Sequence, residues 1–504
     1  MSSRLQKVAA SVELEDIQGL VRFAYKHHTR AVFLLLRVRD AVAARAWLAR
    51  ASVADASARD SLAPTALQIA FTSEGLRALG VPETVINGFS LEFLAGMASD
   101  AARSRRLGDV AESDPGRWRW GAGARVPHVA LLLYALPDHL GEWQRSIEAQ
   151  CDGGFETLAR LETSDLQGVE PFGFVDGISQ PQLDWERRRP VQDRQQPSYS
   201  NLSCLGEFLL GYPNEYGLYT PRPVFDARLD PAAMLPRAED APEQADLGRN
   251  GSYLVLRQLH QDVSGFWQCL DARARGDPAQ RKHLAEAMVG RTMQGEPLVT
   301  LGAHASGANG SGAGAGQNAF TYRSDPAGLR CPLGAHIRRA NPRTADLPFG
   351  SSSIVSRLVR ALGFDAAARR QDLIASTRFH RLLRRGREYG AAMPVERALG
   401  GQSAAGETGL HFICLAANIM RQFEFVQSAW MMGTRFNALA GQSDPLLGDR
   451  NPDATGAATS GYSMPQREGP DRILSGLPRF VTVVGGAYFF LPGLRALRYL
   501  ATVR

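Results

Sequence analysis

Two short segments of this 504-residue chain carry residue types that could do chemistry. The first is Gly173-Phe-Val-Asp176-Gly-Ile178-Ser-Gln180-Pro181, an apolar run with one carboxylate set between glycines. Asp-Gly is also ordinary turn chemistry, and on these residues alone both readings stand. The flanking Phe and Ile would desolvate Asp176, and a desolvated acid needs a cationic partner or a proton-handling role. The second segment runs from Arg330 to Arg343 and places His336 in a small apolar stretch, followed closely by Arg338, Arg339 and Arg343. A lone histidine is commonly a hydrogen-bonded core residue. A histidine with close cations also suits a porphyrin, which wants a neutral imidazole on its iron and guanidinium groups on its carboxylates.

Residues so far apart in sequence must be brought together by a fold, and the hydrophobic pattern indicates one. Ala31–Val38 reads as a buried strand, Ala41–Ala51 as an amphipathic helix and Thr65–Phe71 as a second strand. Ser73 opens a short helix that Gly80 closes. His128–Leu136 is a third strand, Leu140–Cys151 a long helix and Phe155–Leu161 a fourth strand. The order is βαββαβ, a ferredoxin-like arrangement. A similar series recurs: strand Ser252–Leu259, helix Val263–Ala274, strand Leu410–Leu415, helix Ile419–Met431, then closing strands Phe480–Val484 and Ala487–Leu491. The expected fold class is α+β, with two ferredoxin-like modules packed side by side over residues 1–215 and 216–504. Between Asp277 and Glu407 the second module carries a long insertion. Asp184–Ser200, Arg222–Arg249 and Gly302–Gln317 read as linkers or surface excursions.

Composition narrows the function classes. The chain is 44% hydrophobic and 21% charged, close to the globular average, and no apolar stretch reaches the roughly 20 residues that span a bilayer. Five widely spaced cysteines without a CxxC, and an N-terminus with neither an apolar h-region nor twin arginine, lead to the expectation of a cytoplasmic, reduced protein. The net charge is +6, but the arginines are scattered and matched by acids, so neither a nucleic-acid partner nor a membrane is expected. No dinucleotide or P-loop glycine fingerprint, HExxH or GxSxG occurs, which removes the simple nucleotide, metallohydrolase and serine hydrolase readings.

Taken together, the motifs resemble those of the dye-decolourising (DyP-type) haem peroxidases, over most of the chain. GFVDGISQP matches that family's GxxDG motif and CPLGAHIRRANPR its haem-ligand segment. His380-Arg-Leu-Leu-Arg384-Arg-Gly-Arg-Glu-Tyr389-Gly is similar to its distal-arginine segment, and Gly409-Leu-His-Phe412 followed by FEFVQSAW to the strand and helix that wall the haem. Gly441-Gln-Ser-Asp444-Pro-Leu-Leu-Gly448 and the run from Phe480 to Pro492 are similar to its C-terminal signatures.

The resemblance implies a haem b (iron protoporphyrin IX) peroxidase acting on hydrogen peroxide and on small or bulky aromatic reductants, with the haem in the second module. It implies His336 as the axial iron ligand, with Asp444 behind its other ring nitrogen. Asp176 becomes the acid–base group and Arg384 its catalytic partner, with Arg385 the alternative. An aspartate base of ordinary pKa implies an acidic optimum. Arg338 and Arg343 are candidates for the propionates, Ile178 and Gln180 for further haem contacts, and Leu410 and Phe412 for an apolar roof admitting small peroxides. Tyr389 stands where some members place a redox-active surface tyrosine, although Arg387 and Glu388 precede it in place of the usual apolar residues. Trp430 and Trp267 are alternatives that fit core positions better. A haem carrier, or another haem enzyme on the same scaffold, is the alternative function. The oligomeric state is left open.

Overall fold

The computed structural model describes residues 11–57, 63–188, 201–299, 315–343, 377–401, 406–437, 439–453 and 455–503. Its centre is a nine-stranded antiparallel sheet built from two halves. The first half contains β1 (Arg30–Val38), β2 (Thr65–Phe71), β3 (Val129–Ala135) and β4 (Phe155–Glu162), with α1 (Ala41–Leu48) and α2 (Leu140–Cys151) as its crossovers. Their order across the sheet is β4-β1-β3-β2, which the βαββαβ pattern requires of a ferredoxin-like module. The second half contains β5 (Ser252–Gln261), the short strands β6 (Leu383–Arg384) and β7 (Arg387–Tyr389), β8 (Gly409–Ala416) and β9 (Val481–Leu491). Here β9, β5 and β8 lie side by side, and β6 and β7 both pair with the outer edge of β8. With β6 and β7 acting as one interrupted strand, the second half repeats the first. The halves meet edge to edge where Phe490 of β9 pairs with Phe71 of β2.

The central strands are apolar along their whole length because both faces are covered. In β1, Val32, Leu34 and Leu36 enter one core, while Ala31, Phe33 and Leu35 enter the other. β3 divides the same way, with Val129, Leu131 and Leu133 on one side and Ala130, Leu132 and Tyr134 on the other. Local signals set the helix starts: the Asp40 side chain accepts from Ala43 N–H at α1, Asp262 accepts from Gly265 N–H at α3 (Val263–Ala274), and Asp277 accepts from Ala279 N–H at α4 (Pro278–Val289).

Three sequence expectations change. The helix expected over Ile419–Met431 is wound as two wide π-type turns, Met420–Glu424 and Val426–Met431, a geometry that often marks functional sites. The two closing strands are one, β9, whose register shifts between Val483 and Gly485. Arg222–Arg249 is no loose linker: Val224–Asp226 pairs with Gln244–Asp246, and the buried Arg222 binds both Asp240 and Asp246. Most of Gly302–Gln317 and part of Asp184–Ser200 lie outside the described residues.

Candidate active site

A cavity with about 1980 Å³ of atom-free space, counted out to its mouth, lies against the second half of the sheet. It draws its walls from the loop around Asp176, from β5, β6, β8 and β9, from the 420–431 turns, and from α5 (His336–Ala340). Ile178, Leu410, Phe412, Met431, Leu446 and Leu447 make much of the lining apolar.

His336 opens α5 and lines this cavity. Its Nδ1 lies 3.1 Å from Oδ2 and 3.3 Å from Oδ1 of the fully buried Asp444. Asp444 is itself fixed, since its Oδ1 accepts from Leu446 N–H at 2.9 Å and Leu447 N–H at 2.8 Å. Burial works to lower the His336 pKa, but the Asp444 charge and hydrogen bond outweigh it, so the imidazole is held above its ordinary value. Burial pushes the Asp444 carboxyl up, and His336, Arg339 and the Leu447 N–H overcome this to hold it low. Asp444 engages Nδ1, which leaves Nε2 as the ring nitrogen available to the cavity that His336 lines, its side chain 27% accessible.

A second pair stands on another wall. Arg384 Nη1 donates to Asp176 Oδ1 at 2.8 Å, and both side chains face the cavity, 31% and 38% accessible. Burial raises the Asp176 pKa, but the Arg384 charge, the Gly177 N–H, the Arg384 hydrogen bond and the charge of His336 together hold it below the ordinary aspartate value. Arg384 is presented by β6, whose register opposite Cys414 puts it on the same sheet face as Phe412 and Leu410. The pleat sends the neighbouring Arg385 to the other face, where it donates to Leu20 O and Val21 O at 2.7 and 2.8 Å. Gln180 locks β6 to the Asp176 loop: its Oε1 accepts from Arg384 N–H at 3.0 Å, and its Nε2 donates to Arg384 O at 3.2 Å.

Two expected residues fall elsewhere. Arg338 does not line the cavity; its guanidinium donates to Cys331 O and Asp325 O, at 2.7 and 3.0 Å, and pairs with the Asp325 carboxylate. Helix geometry is the reason, since two positions on from His336 is about 200° around α5. Tyr389 is not at the surface but 8% exposed, its hydroxyl donating to Leu259 O at 3.1 Å and its ring stacked on His411. Arg343 does line the cavity, with a guanidinium that donates to Asn318 O, Phe320 O and Asn318 Oδ1. Trp430 also stands on the cavity wall, 8% exposed, whereas Trp267 is core.

The sequence reading missed Arg291, Arg381 and Glu170, all of which line the cavity. Arg381 lies only three residues before Arg384, and Glu170 is a second acid just upstream of the Asp176 loop, so both had a positional signal. Arg291 had none. Burial first, and then the charges of Arg343 and Arg384, pull the Arg291 guanidinium down to about 10. Cations that strain one another in this way suit a site for anionic groups.

The fold and the two pairs define a class: a double ferredoxin-like protein with a carboxylate-backed histidine and an aspartate–arginine couple opening on one cavity. No protein-family model matches the chain. It is 27% identical to the dye-decolorizing peroxidase msp1 of Mycetinis scorodonius, over 98% of this chain and 89% of that one. It is also 27% identical to the multifunctional dye peroxidase DyP2 of an Amycolatopsis species, over 97% and 96% of the two chains. A fungal DyP-type peroxidase from Auricularia auricula-judae shares the fold with a TM-score of 0.71 at 24% identity, over 98% of this chain and all of that one. So does a dye-decolorizing peroxidase in complex with 2,6-dimethoxyphenol, with a TM-score of 0.70 at 22% identity over 97% and 100%. Over nearly its whole length the chain is similar to DyP-type peroxidases, and it is a peroxidase.

Proposed function

We propose that this protein is a haem b peroxidase that reduces hydrogen peroxide and oxidises dyes, phenols or other aromatic reductants. The observation that carries the reading is the convergence of His336–Asp444 and Asp176–Arg384 on one cavity. The residues present fit a haem. His336 offers one nitrogen to the cavity with a carboxylate behind the other, the arrangement that orients a metal-bound imidazole and raises its basicity. Arg291, Arg343 and Arg381 line the cavity and match propionates, while Ile178, Leu410, Phe412 and Met431 match an apolar macrocycle. Among the described residues no group of three or more His, Cys, Asp or Glu could hold a bare metal ion, whereas a porphyrin brings its own nitrogens.

When bound, haem supplies the iron centre that gives two electrons to peroxide and recovers them from reductants. Asp176, kept ionised by Arg384, takes a proton from hydrogen peroxide and delivers it to the departing oxygen, which leaves as water; such acid–base work contributes roughly 10²–10⁴-fold. Arg384 stabilises the negative charge that develops as the oxygen–oxygen bond parts. Leu410 and Phe412 exclude water and larger molecules. The dimethoxyphenol bound by one structural relative supports phenolic reductants here. In the same reading, the modules divide at 215/216, within the stretch between the end of β4 and the start of β5, and the protein works in the cytoplasm, which its five free cysteines support.

The test is an absorption spectrum of the purified, haem-loaded protein before and after one equivalent of hydrogen peroxide. The Soret band is expected to change within the mixing time. Asp176→Asn should retain haem but react about 10²–10⁴-fold more slowly, and His336→Ala should bind haem weakly. A Soret band indifferent to peroxide would leave a haem carrier, and an Asp176→Asn variant as fast as wild type would remove the acid–base assignment.

A further inference from the structure

Residues 168–176 form a small hairpin that ends on Asp176. Val169 bridges Val175, Glu170 N–H donates to Phe174 O at 2.8 Å, and Asp176 N–H donates to Gly168 O at 3.0 Å. Gly173 N–H closes the tip on Glu170 O at 2.8 Å, with Gly173 at a φ of +100° that favours glycine. Among the described residues, the Phe172 and Phe174 N–H groups donate to no backbone carbonyl. They donate instead to the Glu170 side chain, Phe172 N–H to Oε2 and Phe174 N–H to Oε1, each at 3.0 Å. A third donor comes from outside the hairpin: Gln261 Nε2, on the last residue of β5, donates to Glu170 Oε2 at 2.8 Å. Phe172 fixes the tip from the other side, packed at a tilt of 37° against Phe266 of α3 with ring centroids 4.5 Å apart.

The chemistry proposed for the cavity makes no use of Glu170, yet a carboxylate is retained there against its own burial. Burial pushes it up, and despite the opposing pull of Gln261, Phe172 N–H and Phe174 N–H it sits at about 7. Asp176 is the charged group acting on it within its own hairpin. Gln261 faces it from β5 as a neutral donor, and Asp109, Arg257 and Arg479 line the same cavity. All three contacts to Glu170 are donors, so the ionised form makes them best.

We propose that Glu170 is a positioning residue for Asp176, clamping the 168–176 hairpin through its two tip N–H groups and tying it through Gln261 to β5. The inference rests on the acid–base role proposed for Asp176. A general base must stand within hydrogen-bond reach of its proton, and a displacement of about 1 Å can cost about 10²-fold.

Glu170→Gln keeps the shape but turns an NH2 group toward a donor, and so imitates the protonated carboxyl. The experiment compares haem-loaded wild type and Glu170→Gln at about pH 8 and about pH 5, on either side of the Glu170 value. Two quantities are read: amide hydrogen exchange, corrected for its intrinsic pH dependence, and the second-order rate constant with peroxide. At the higher pH, exchange in the 168–176 peptide should quicken about tenfold in the variant, with other regions unchanged, and the peroxide rate should fall about tenfold or more. At the lower pH the two proteins should converge, because wild-type Glu170 then carries a proton. Gln261→Leu leaves both tip contacts in place and should loosen the hairpin less. Exchange in 168–176 or a peroxide rate unchanged by Glu170→Gln at the higher pH would overturn the proposal, as would a deficit that is the same at both. If wild type does not react with peroxide the proposed function fails, and the exchange result still decides whether the clamp exists.

Discussion

Arg384→Leu tests the electrostatic reasoning most directly, because the structure predicts a shift in pH dependence as well as a loss of rate. Arg384 Nη1 lies 2.8 Å from Asp176 Oδ1. Unit charges with centres about 4 Å apart interact by about 4 kcal/mol at an effective dielectric of about 20, and by about 1 kcal/mol in bulk water. The two side chains are 31% and 38% accessible toward the cavity, so screening brings the coupling below the higher figure. Some 1–3 kcal/mol, at about 1.4 kcal/mol per pH unit, is a pKa shift of about 1–2 units. The sign follows from the balance at Asp176. Burial raises its pKa, and Arg384 leads the groups that bring it below the ordinary value. Without Arg384, burial is opposed chiefly by the Gly177 N–H and the charge of His336, and the carboxyl rises. The acid limb of the peroxide rate constant, measured by stopped-flow mixing across acid and neutral pH, should therefore move upward by about 1–2 units in Arg384→Leu. Its plateau should also fall by about 10²–10³-fold through lost charge stabilisation. Arg384→Lys, with the charge but not the planar fork, should restore more of the limb than of the plateau. An acid limb at the same pH in wild type and Arg384→Leu, in a variant that still binds haem, would refute the argument.

Two further outcomes follow from the placements of Asp444 and Tyr389. Asp444→Asn retains an acceptor for the Leu446 and Leu447 N–H groups but takes the charge from behind His336. Haem affinity measured by titration should fall about 10–100-fold, and the iron midpoint potential by spectroelectrochemistry should rise. An unchanged potential would argue against a carboxylate-tuned ligand. Tyr389→Phe removes the hydrogen bond to Leu259 O and should lower thermal stability by about 1 kcal/mol. Because the ring is buried, turnover of a bulky dye should stay at the wild-type level. A selective loss of dye turnover with normal peroxide reactivity would restore Tyr389 as a relay.

The fold was legible wherever local pattern and burial coincide. The strands of the first half and the helix over Val263–Ala274 were readable because the sheet is covered on both faces, which leaves long unbroken apolar runs ending at turn and capping residues. β6 and β7 escaped notice for the opposite reason. They are two and three residues long, rich in arginine, and exist only because β8 supplies an edge for them. A pairing imposed by tertiary structure leaves no periodicity of its own.

The site shows the same division between what a residue's neighbours in sequence reveal and what its neighbours in space decide. Asp176 and His336 stood out because each is a polar group set in an unusual local context. Their partners lie 208 and 108 residues away, and those distances were bridged by resemblance rather than by pattern. Orientation was the harder step. Arg384 and Arg385 are indistinguishable until the pleat of β6 assigns them opposite faces, and Arg338 looked as suitable as Arg343 until α5 turned it toward Asp325. Glu170 shows the limit most clearly. In sequence it is one more acid before a Pro-Phe-Gly turn, and only the hairpin directs two tip N–H groups at its two carboxylate oxygens while β5 brings Gln261 to the one that Phe172 N–H uses. The role proposed for it, holding the proposed acid–base residue in place, needs no chemistry of its own, so a reading that looks for reactive residue types passes over it.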